Sequence, residues 1–390
     1  MRCALRAASR VSFLRLLPRS PGLVRHRRRL RRFAERWLTL RSSMRIALDV
    51  MGGDHGCPVV IEGVKGALAA DPAITSLVLV GRESEIQAAC QQVHLDDPRL
   101  QIVHASEVLT MNDHPLDGIR KKKDSSMVRA IEQVREGRAD AVISCGNTGA
   151  LVAGSMKLRR LEGVDRPAIA ARMPSRTGDF ILLDAGANAV CEPRHLAQFA
   201  VMGNVYAREV LGLEKPRVGV LSNGSEESKG TELTRESVRL CAALDLNFIG
   251  YVEGFDLFND AVDVVVADGF VGNVVLKTCE SLGSAIIHQL KRELTATPLR
   301  KLGAWIARNA FRRLKQRLDP ELYGGAALLG LNGVVIKAHG SSRERAIVNA
   351  IRVAAAEISH GVNQTLADQI AAANSRLAAV EAASPAQVTA

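Results

Sequence analysis

The sequence lacks the cysteine patterns that mark disulfide frameworks and zinc sites. Its seven cysteines are scattered along 390 residues and include no Cys-x-x-Cys pair. An odd, dispersed set of this kind is typical of reduced thiols in the cytosol. Aromatic residues make up only 4% of the chain, so we expect a core rich in Ala, Val, Leu and Gly, as in layered α/β proteins.

Several motifs of common enzyme classes are missing as well. The chain has no G-x-G-x-x-G dinucleotide motif, no G-x-S-x-G nucleophile elbow and no H-E-x-x-H zinc motif. The segment 222–231 superficially resembles a P-loop, but its Lys precedes its Gly, whereas a Walker A motif needs Gly-Lys-Ser/Thr. No stretch reaches the roughly 18 apolar residues that span a bilayer. We therefore predict no metal, no cofactor and no NTPase activity.

The basic charge belongs to the first 43 residues. The chain carries a formal net charge of +11, and residues 1–43 contain thirteen Arg, no Lys and one acid, Glu35. From Met44 onward bases and acids nearly balance, so the body gives no reason to expect a nucleic-acid partner. The Arg-rich segment is either a transit peptide or an extension that precedes the natural start; the strand-like opening at Met44 favours the second interpretation.

From Met44 onward, short apolar runs alternate with longer amphipathic ones, which predicts an α/β fold. The runs 76–81 and 263–268 are continuously apolar inside, as expected of parallel strands that are covered on both faces. No linker divides 44–365, so we predict a single domain there. The Ala-rich stretch 366–390 is predicted to be a frayed C-terminal tail outside the domain.

Five glycine-containing turns follow predicted strands, where α/β proteins bind ligands. Backbone N–H groups at a helix start suit phosphate, although ordinary helix capping by Asp, Asn or Thr explains the same residues. Lys229 and Lys277 are candidate cations, Asn273 is predicted to start a helix, and His339 is a candidate for proton transfer. The remaining candidates in these turns are Asp49, Gly52, Gly53, Asp54, Gly146, Asn147, Thr148, Gly149, Asp268 and Gly269.

These segments, in this order, resemble the PlsX family of bacterial phosphate acyltransferases over residues 44 to about 365. The shared motifs include 44–55, 144–150, 183–188, 263–277 and 323–342. The resemblance implies a three-layer α/β/α fold with a mostly parallel sheet, similar to isocitrate and isopropylmalate dehydrogenases and phosphotransacetylases. It also implies a homodimer with a protruding helical hairpin over 273–322. Residues 222–225 and Ala326 depart from the family pattern, and residues 1–43 have no counterpart in it.

The same resemblance implies a reaction and roles. Inorganic phosphate would attack the thioester of acyl–acyl-carrier protein, and a membrane acyltransferase would pass the acyl group of the resulting acyl phosphate to glycerol 3-phosphate. The proposed catalytic pair falls on Lys229 and Asn273, with Gly146, Asn147 and Thr148 around phosphate. Asn188, in the segment 183–188, joins the substrate-binding set.

Residues 299–318 form a basic, amphipathic segment. They contain seven bases and no acid, with apolar residues on one side of a helical projection. Such a helix suits an anionic membrane surface, a dimer contact or the acidic carrier protein. We expect a cytoplasmic protein peripherally associated with the inner membrane. Two rivals stay open: a phosphotransacetylase-like or dehydrogenase activity on the same fold, and a non-catalytic membrane- or nucleic-acid-binding protein.

Overall fold

Over residues 44–226, 229–317 and 320–383, which the computed structural model describes, strands and helices alternate as predicted. The predictions for residues 1–43 lie outside these ranges. The strands are β1 (Arg45–Asp49), β2 (Ser76–Gly81), β3 (Leu100–His104), β4 (Ala141–Ser144), β5 (Ala168–Pro174), β6 (Asp179–Leu183), β7 (Arg217–Leu221), β8 (Asn247–Val252), β9 (Val264–Val266), β10 (Ala326–Leu329) and β11 (Val334–Lys337).

Helices connect most of these strands. They are α1 (Gly56–Ala70), α2 (Glu83–Gln92), α3 (Pro115–Lys121), α4 (Ser126–Arg135), α5 (Thr148–Ser155), α6 (Pro193–Leu211), α7 (Glu232–Ala242), α8 (Gly269–Leu294), α9 (Pro298–Ile306), α10 (Arg308–Arg317), α11 (Glu344–His360) and α12 (Val362–Ala383).

The eleven strands form one sheet in the order β3-β2-β1-β4-β11-β10-β5-β6-β9-β7-β8. Seven of the ten pairings are parallel, and the three antiparallel ones join β11, β10, β5 and β6 in the middle. The outer parallel groups consequently run in opposite directions. The carboxyl ends of β1, β4 and β11 share one edge of the sheet, and those of β6, β9 and β7 share the opposite edge.

Alternating strand residues bury both faces of the sheet. In β1, Ile46 and Leu48 pack in a large cluster with residues of α1, α6, α11 and α12, whereas Ala47 packs in a second cluster with α4 and α5. Near the start of α8, Leu276 contacts the second cluster and a third one around Phe180. Helices thus cover both faces of a mostly parallel sheet, which confirms the predicted fold class.

The C-terminal boundary placed at residue 365 is wrong for the structured domain. Helix α12 runs from Val362 to Ala383, and Leu366, Ile370 and Leu377 are fully buried in the large cluster. Their spacing of four and seven residues places them on one helix face. The abundance of Ala hid this apolar stripe, because small residues between the buried positions dilute the amphipathic pattern.

Two short elements were also missed. Helix α3 begins with Pro115, and strand β10 has only four residues. Gly324 and Gly325, just before β10, have φ of 71° and 105°, which only glycine adopts without strain. This glycine-rich stretch is one of the five expected turns, and the four residues that follow Gly325 add an antiparallel strand to the sheet.

The predicted helical hairpin consists of three helices. Helix α8 begins at Gly269, not at Asn273, and the basic segment is divided into α9 and α10 at Ala307. Over the described residues, α8 is the one helix long and apolar enough to cross a membrane by length and composition, and little of it is buried. Its charged side chains include Lys277 and Glu280, which pair with each other.

One buried acid makes stability depend on pH. Glu357 on α11 is 2% exposed, and its Oε1 has no hydrogen-bond partner. Burial raises the pKa of this carboxyl from 4.5 to about 8. The folded protein therefore retains a proton that the unfolded chain releases between these pH values, so the raised pKa stabilises the fold at low pH and this contribution is lost as pH rises towards 8.

We predict that Glu357→Gln flattens the fall in unfolding free energy between pH 5 and 8. At pH 8 the variant should be more stable than the natural protein by about 1–3 kcal/mol, because a neutral amide replaces an unpartnered acid. Urea unfolding followed by circular dichroism measures this. Glu344→Gln, an exposed position on the same helix, is the control, and identical pH dependence in all three proteins would refute the prediction.

Candidate active site

Three adjacent parallel strands, β1, β4 and β11, each end in a polar residue, and these three residues are in register. Asp49 of β1 lies opposite Ser144 of β4, which lies opposite Lys337 of β11. Residues in register on neighbouring strands point to the same face, here the one covered by α4. The strand order therefore places a carboxylate, a hydroxyl and an ammonium in one row at the edge of the sheet.

The row is fixed by hydrogen bonds. The Ser144 hydroxyl donates to Asp49 Oδ2 at 2.6 Å and accepts from the Gly146 N–H at 3.0 Å. The Met51 N–H donates to Asp49 Oδ1 at 3.3 Å. Burial raises the pKa of Asp49, and hydrogen bonds from serine hydroxyls and the Met51 N–H oppose that rise. Asp49 thus holds the start of the 144–150 turn in place through Ser144.

Glycines let the neighbouring backbone approach this row. A Cβ added to Gly52 would lie 2.5 Å from Asp49 Oδ2 and 2.8 Å from Gly146 N. One added to Gly146 would lie 2.6 Å from the Met127 side chain. Gly53 lies against Cys145, and the Asp54 N–H donates to the Gly340 carbonyl at 2.8 Å. The predicted glycines of the first two turns therefore meet at one place, with the exposed Asp54 beside them.

The amino end of α5 opens next to this row. Asn147 accepts from the Ala150 N–H at 3.0 Å and donates to the Met111 carbonyl at 3.1 Å, so its capping interpretation is confirmed. Thr148 and Gly149 are exposed, although a Cβ on Gly149 would contact Pro115. The helix start therefore offers N–H groups and a partial positive charge beside Gly146.

The first turns of α8 are held against the loop after β6. The side chain of Asp268 caps the helix by accepting from the Val271 N–H at 2.9 Å, and Gly269 lies against Asn188. A Cβ on Gly272 would lie 1.9 Å from the Asp184 carbonyl. Asn273 is therefore not a helix cap: it lies in the second turn, exposed, because Asp268 starts the helix earlier.

Asp184 organises this loop. Its two carboxylate oxygens accept hydrogen bonds of 2.7 to 3.1 Å from five N–H groups, those of the backbone of Ile169, Gly186, Ala187 and Asn188 and that of the Asn188 amide. The amide of Asn188 also donates to the Pro167 carbonyl at 2.7 Å. Both amide hydrogens of Asn188 are used inside the protein, so any contact with a ligand falls to its oxygen.

Asn273 and Lys277 are one turn apart on α8. A Cβ on Gly186 would lie 3.4 Å from Asn273 Oδ1, which shows that the amide rests on this glycine. Lys277 pairs with Glu280 at 2.7 Å and is close enough to lower the pKa of both His339 and Lys337. Lys277 thus reaches the site formed at the ends of β4 and β11, whereas Asn273 lies against the loop after β6.

His339 and Lys337 complete this side of the site. The His339 ring forms a hydrogen bond with the Ser341 hydroxyl at 2.8 Å. Burial, and to a smaller extent the nearby charge of Lys277, lowers the pKa of His339. Burial lowers the pKa of Lys337 to about 8. Lys337 was missed as a candidate, although its place at the end of the apolar run 334–336 was a usable signal, because a lysine that continues a buried strand needs a reason to be there.

Lys229 lies apart from these contacts. It is exposed on the loop after β7, and within the described residues its side chain makes no hydrogen bond or ion pair; its backbone N–H donates to the Glu226 carbonyl at 2.9 Å. Strands β7 and β9 are parallel neighbours, so the loops that carry Lys229 and Asn273 leave the same edge of the sheet. The structure brings these loops together, but it describes no contact between the two side chains.

Solved structures with the same fold include two phosphotransacetylases. A phosphotransacetylase from Streptococcus pyogenes covers 82% of this chain and 97% of its own, with a TM-score of 0.56 at 17% identity. For EutD phosphotransacetylase from Staphylococcus aureus, the match covers 83% of this chain and 98% of the EutD chain, with a TM-score of 0.53 at 15% identity. At these identities the likeness establishes the fold alone.

Sequence relatives identify the family. Residues 44–365 match the family model described as Fatty acid synthesis protein, and this chain belongs to that family. A phosphate acyltransferase from Akkermansia muciniphila is 47% identical over 84% of this chain and 96% of the relative. One from Geobacter sulfurreducens is 46% identical over 84% of this chain and 94% of that relative. The resemblance drawn from the motifs is thereby confirmed.

We predict that Gly52→Ala weakens binding of orthophosphate at least tenfold while the fold is retained. The added methyl would displace either Asp49 or the Gly146 N–H, and with it the anion-binding turn. Isothermal titration calorimetry with orthophosphate measures the affinity, and circular dichroism checks the fold. Gly178→Ala is the matched control, since its Cβ would meet nothing closer than 3.8 Å; equal affinities in both variants would contradict the prediction.

Proposed function

We propose that this protein transfers the acyl group of fatty acyl–acyl-carrier protein to orthophosphate, producing acyl phosphate and the free carrier thiol. The observation that carries the proposal is the identity of about 47% to proteins named phosphate acyltransferase, over nearly their full length. The site supports it, because glycine-lined turns, the start of α5 and the cation Lys337 lie at the edge formed by the ends of β1, β4 and β11, and α8 adds Lys277 from the other half of the sheet. Such a site suits a small tetrahedral anion.

The chemistry needs positioning more than a strong base. A phosphate oxygen attacks the thioester carbonyl carbon, a C–O bond forms, and the carbonyl electrons move to oxygen. When the tetrahedral intermediate collapses, the C–S bond breaks and the sulfur leaves as a thiolate that takes up a proton. Phosphate is already nucleophilic, so proximity and oxyanion stabilisation provide the catalysis.

Each candidate residue has a role in this scheme. Lys229 holds phosphate or stabilises the oxyanion, and Asn273 orients the thioester carbonyl. The turn of Gly146, Asn147 and Thr148 surrounds phosphate with N–H groups. Lys229 is exposed, and within the described residues its side chain makes no hydrogen bond or ion pair, so it is free to bind an anion. The remaining assignments, Asp49, Gly52, Gly53, Asp54, Gly149, Asn188, Asp268, Gly269, Lys277 and His339, line or support the site.

Product analysis tests the function directly. The protein is incubated with palmitoyl–acyl-carrier protein and ¹⁸O-labelled orthophosphate, and the products are trapped and identified by mass spectrometry. We expect labelled palmitoyl phosphate and one free thiol per molecule. Palmitoyl-CoA as donor addresses the alternative of a phosphotransacetylase-like enzyme. Release of CoA without release of carrier thiol would favour that alternative over our proposal.

Within this assay we predict that Lys229→Ala lowers thiol release at least tenfold, because a cation that offsets phosphate or oxyanion charge is lost. Lys229 is exposed, so the fold should not change. Lys215→Ala, another exposed lysine that lies before β7, controls for loss of surface charge. Unchanged turnover of the Lys229 variant would remove this residue from the mechanism.

The helices α8 to α10 supply the interaction surface of the proposed function. On α9, Leu299, Leu302, Trp305 and Ile306 are 55–78% exposed, and the Arg308 guanidinium lies 4.8 Å from the centre of the Trp305 ring. Exposed apolar residues beside several bases fit an anionic membrane surface, where each base contributes about 1 kcal/mol before screening. This surface would bring acyl phosphate to the membrane acyltransferase that consumes it.

Two further assignments belong to this surface. The exposed apolar residues of α8, Val274, Leu282 and Ile286, would be covered by a second copy in a homodimer, while α9 and α10 remain free for the membrane. A protein of this kind works in the cytoplasm and associates peripherally with the inner membrane. The acidic carrier protein is a second partner for the same positive charge.

We predict that the double change Arg308→Glu and Arg312→Glu lowers binding to vesicles of phosphatidylglycerol and phosphatidylcholine at least fivefold. Turnover in solution should stay within twofold, because these bases lie on α10 and not in the candidate active site. Vesicle co-sedimentation measures binding. The matched charge reversal Arg208→Glu and Arg352→Glu, on the exposed sides of α6 and α11, should bind like the natural protein. Equal vesicle binding by both double variants would indicate that α9 and α10 have a purely structural role.

A further inference from the structure

The row Asp49–Ser144–Lys337 contains a cation without a counter-ion. The Lys337 ammonium has three N–H donors, and its one described partner is the carbonyl of the next residue, Ala338. Within the described part of the chain, no carboxylate lies within ion-pair distance of Lys337. A largely buried charge is costly unless it is paired, so an anion from outside the protein is the missing partner.

The nearby acids do not provide this partner. Asp49 raises the pKa of Lys337 only from a distance, because its oxygens are occupied by the Ser144 hydroxyl and the Met51 N–H. Asp54 also acts from a distance and lies exposed beside Gly340. The protein therefore keeps its carboxylates close enough to hold Lys337 charged but leaves its remaining donors unengaged.

A second cation approaches the same place from the other half of the sheet. Lys277 of α8 lowers the pKa of both Lys337 and His339, which shows that like charges converge there. Lys277 is itself paired with Glu280 at 2.7 Å, so its positive charge adds to the attraction for an anion without requiring one. At the end of the neighbouring strand, the first turn of α5 adds backbone N–H groups, several of which an α-helix leaves without an intrahelical partner.

We propose that Lys337 is a phosphate-binding residue, and that Asp49, acting through Ser144 and the Gly146 N–H, is a positioning residue that holds the 144–150 turn, and with it the start of α5, beside the same phosphate group. The inference rests on the proposed function and adds a residue that none of its assignments includes. The phosphate group belongs either to the orthophosphate substrate or to the phosphodiester of the carrier's thiol-bearing arm.

Lys337→Met tests this proposal, because methionine keeps the length and removes the charge. Without phosphate, its melting temperature should equal or exceed that of the natural protein, since an unpaired charge is gone. The natural protein should melt at higher temperature as orthophosphate is added, and the variant should not. In turnover, the KM for orthophosphate should rise at least tenfold, while the KM for palmitoyl-carrier stays within twofold. Lys337→Arg should restore part of the response, and Lys215→Met should behave like the natural protein.

The two sources of phosphate give different results. If the KM for palmitoyl-carrier rises and the KM for palmitoyl-N-acetylcysteamine, which has no phosphodiester, does not, Lys337 binds the carrier's arm. If the KM for orthophosphate and the KM for palmitoyl-carrier are both unchanged in the Lys337→Met variant, and its melting temperature still rises with orthophosphate, the proposal is wrong. One result would separate the two proposals. If calorimetry shows that the natural protein binds orthophosphate and the Lys337 variant does not, but the natural protein releases no carrier thiol, the proposed function is refuted and the phosphate site is not.

Discussion

The hydrogen bond between Ser144 Oγ and Asp49 Oδ2 is the interaction on which the site depends. It joins the ends of β1 and β4 at 2.6 Å and leaves the same oxygen of Ser144 to accept the Gly146 N–H. Because a buried carboxylate without partners is costly, Asp49 tolerates few other arrangements. The glycines at 52 and 146 follow from the close packing around this row, since a Cβ at Gly52 would collide with Asp49 and one at Gly146 would collide with Met127.

The antiparallel centre of the sheet imposes the second constraint. It reverses the direction of the outer parallel groups, so the loops after β7 and β9 leave the edge opposite to the row of Asp49, Ser144 and Lys337. Helix α8 connects the two regions: its start packs on the Asp184 loop, and Lys277, two turns later, acts on Lys337 and His339. The site is therefore assembled from both halves, which explains why its segments are dispersed along the chain.

Much of this was predictable from the sequence, because most strands of the parallel groups are short apolar runs that end in, or just before, a glycine or a polar residue. The fold class and the convergence of the first two turns follow from that pattern. The place of Lys337 could not be read from periodicity, because its importance comes from its register with Ser144. Asn273 was misplaced as a helix start because the Asp268 cap and the close contact of Gly272 with Asp184 are tertiary features. The burial of α12 likewise depends on a groove formed by distant helices.

The central claim is that the ends of β1, β4 and β11 bind a phosphate group. A crystal structure of the protein grown in orthophosphate tests it most directly. Our account predicts tetrahedral density within hydrogen-bond distance of Lys337 Nζ and of a backbone N–H at the start of α5, with Asp49 still bonded to Ser144. Density located elsewhere, with Lys337 paired to a carboxylate of the protein, would contradict the account.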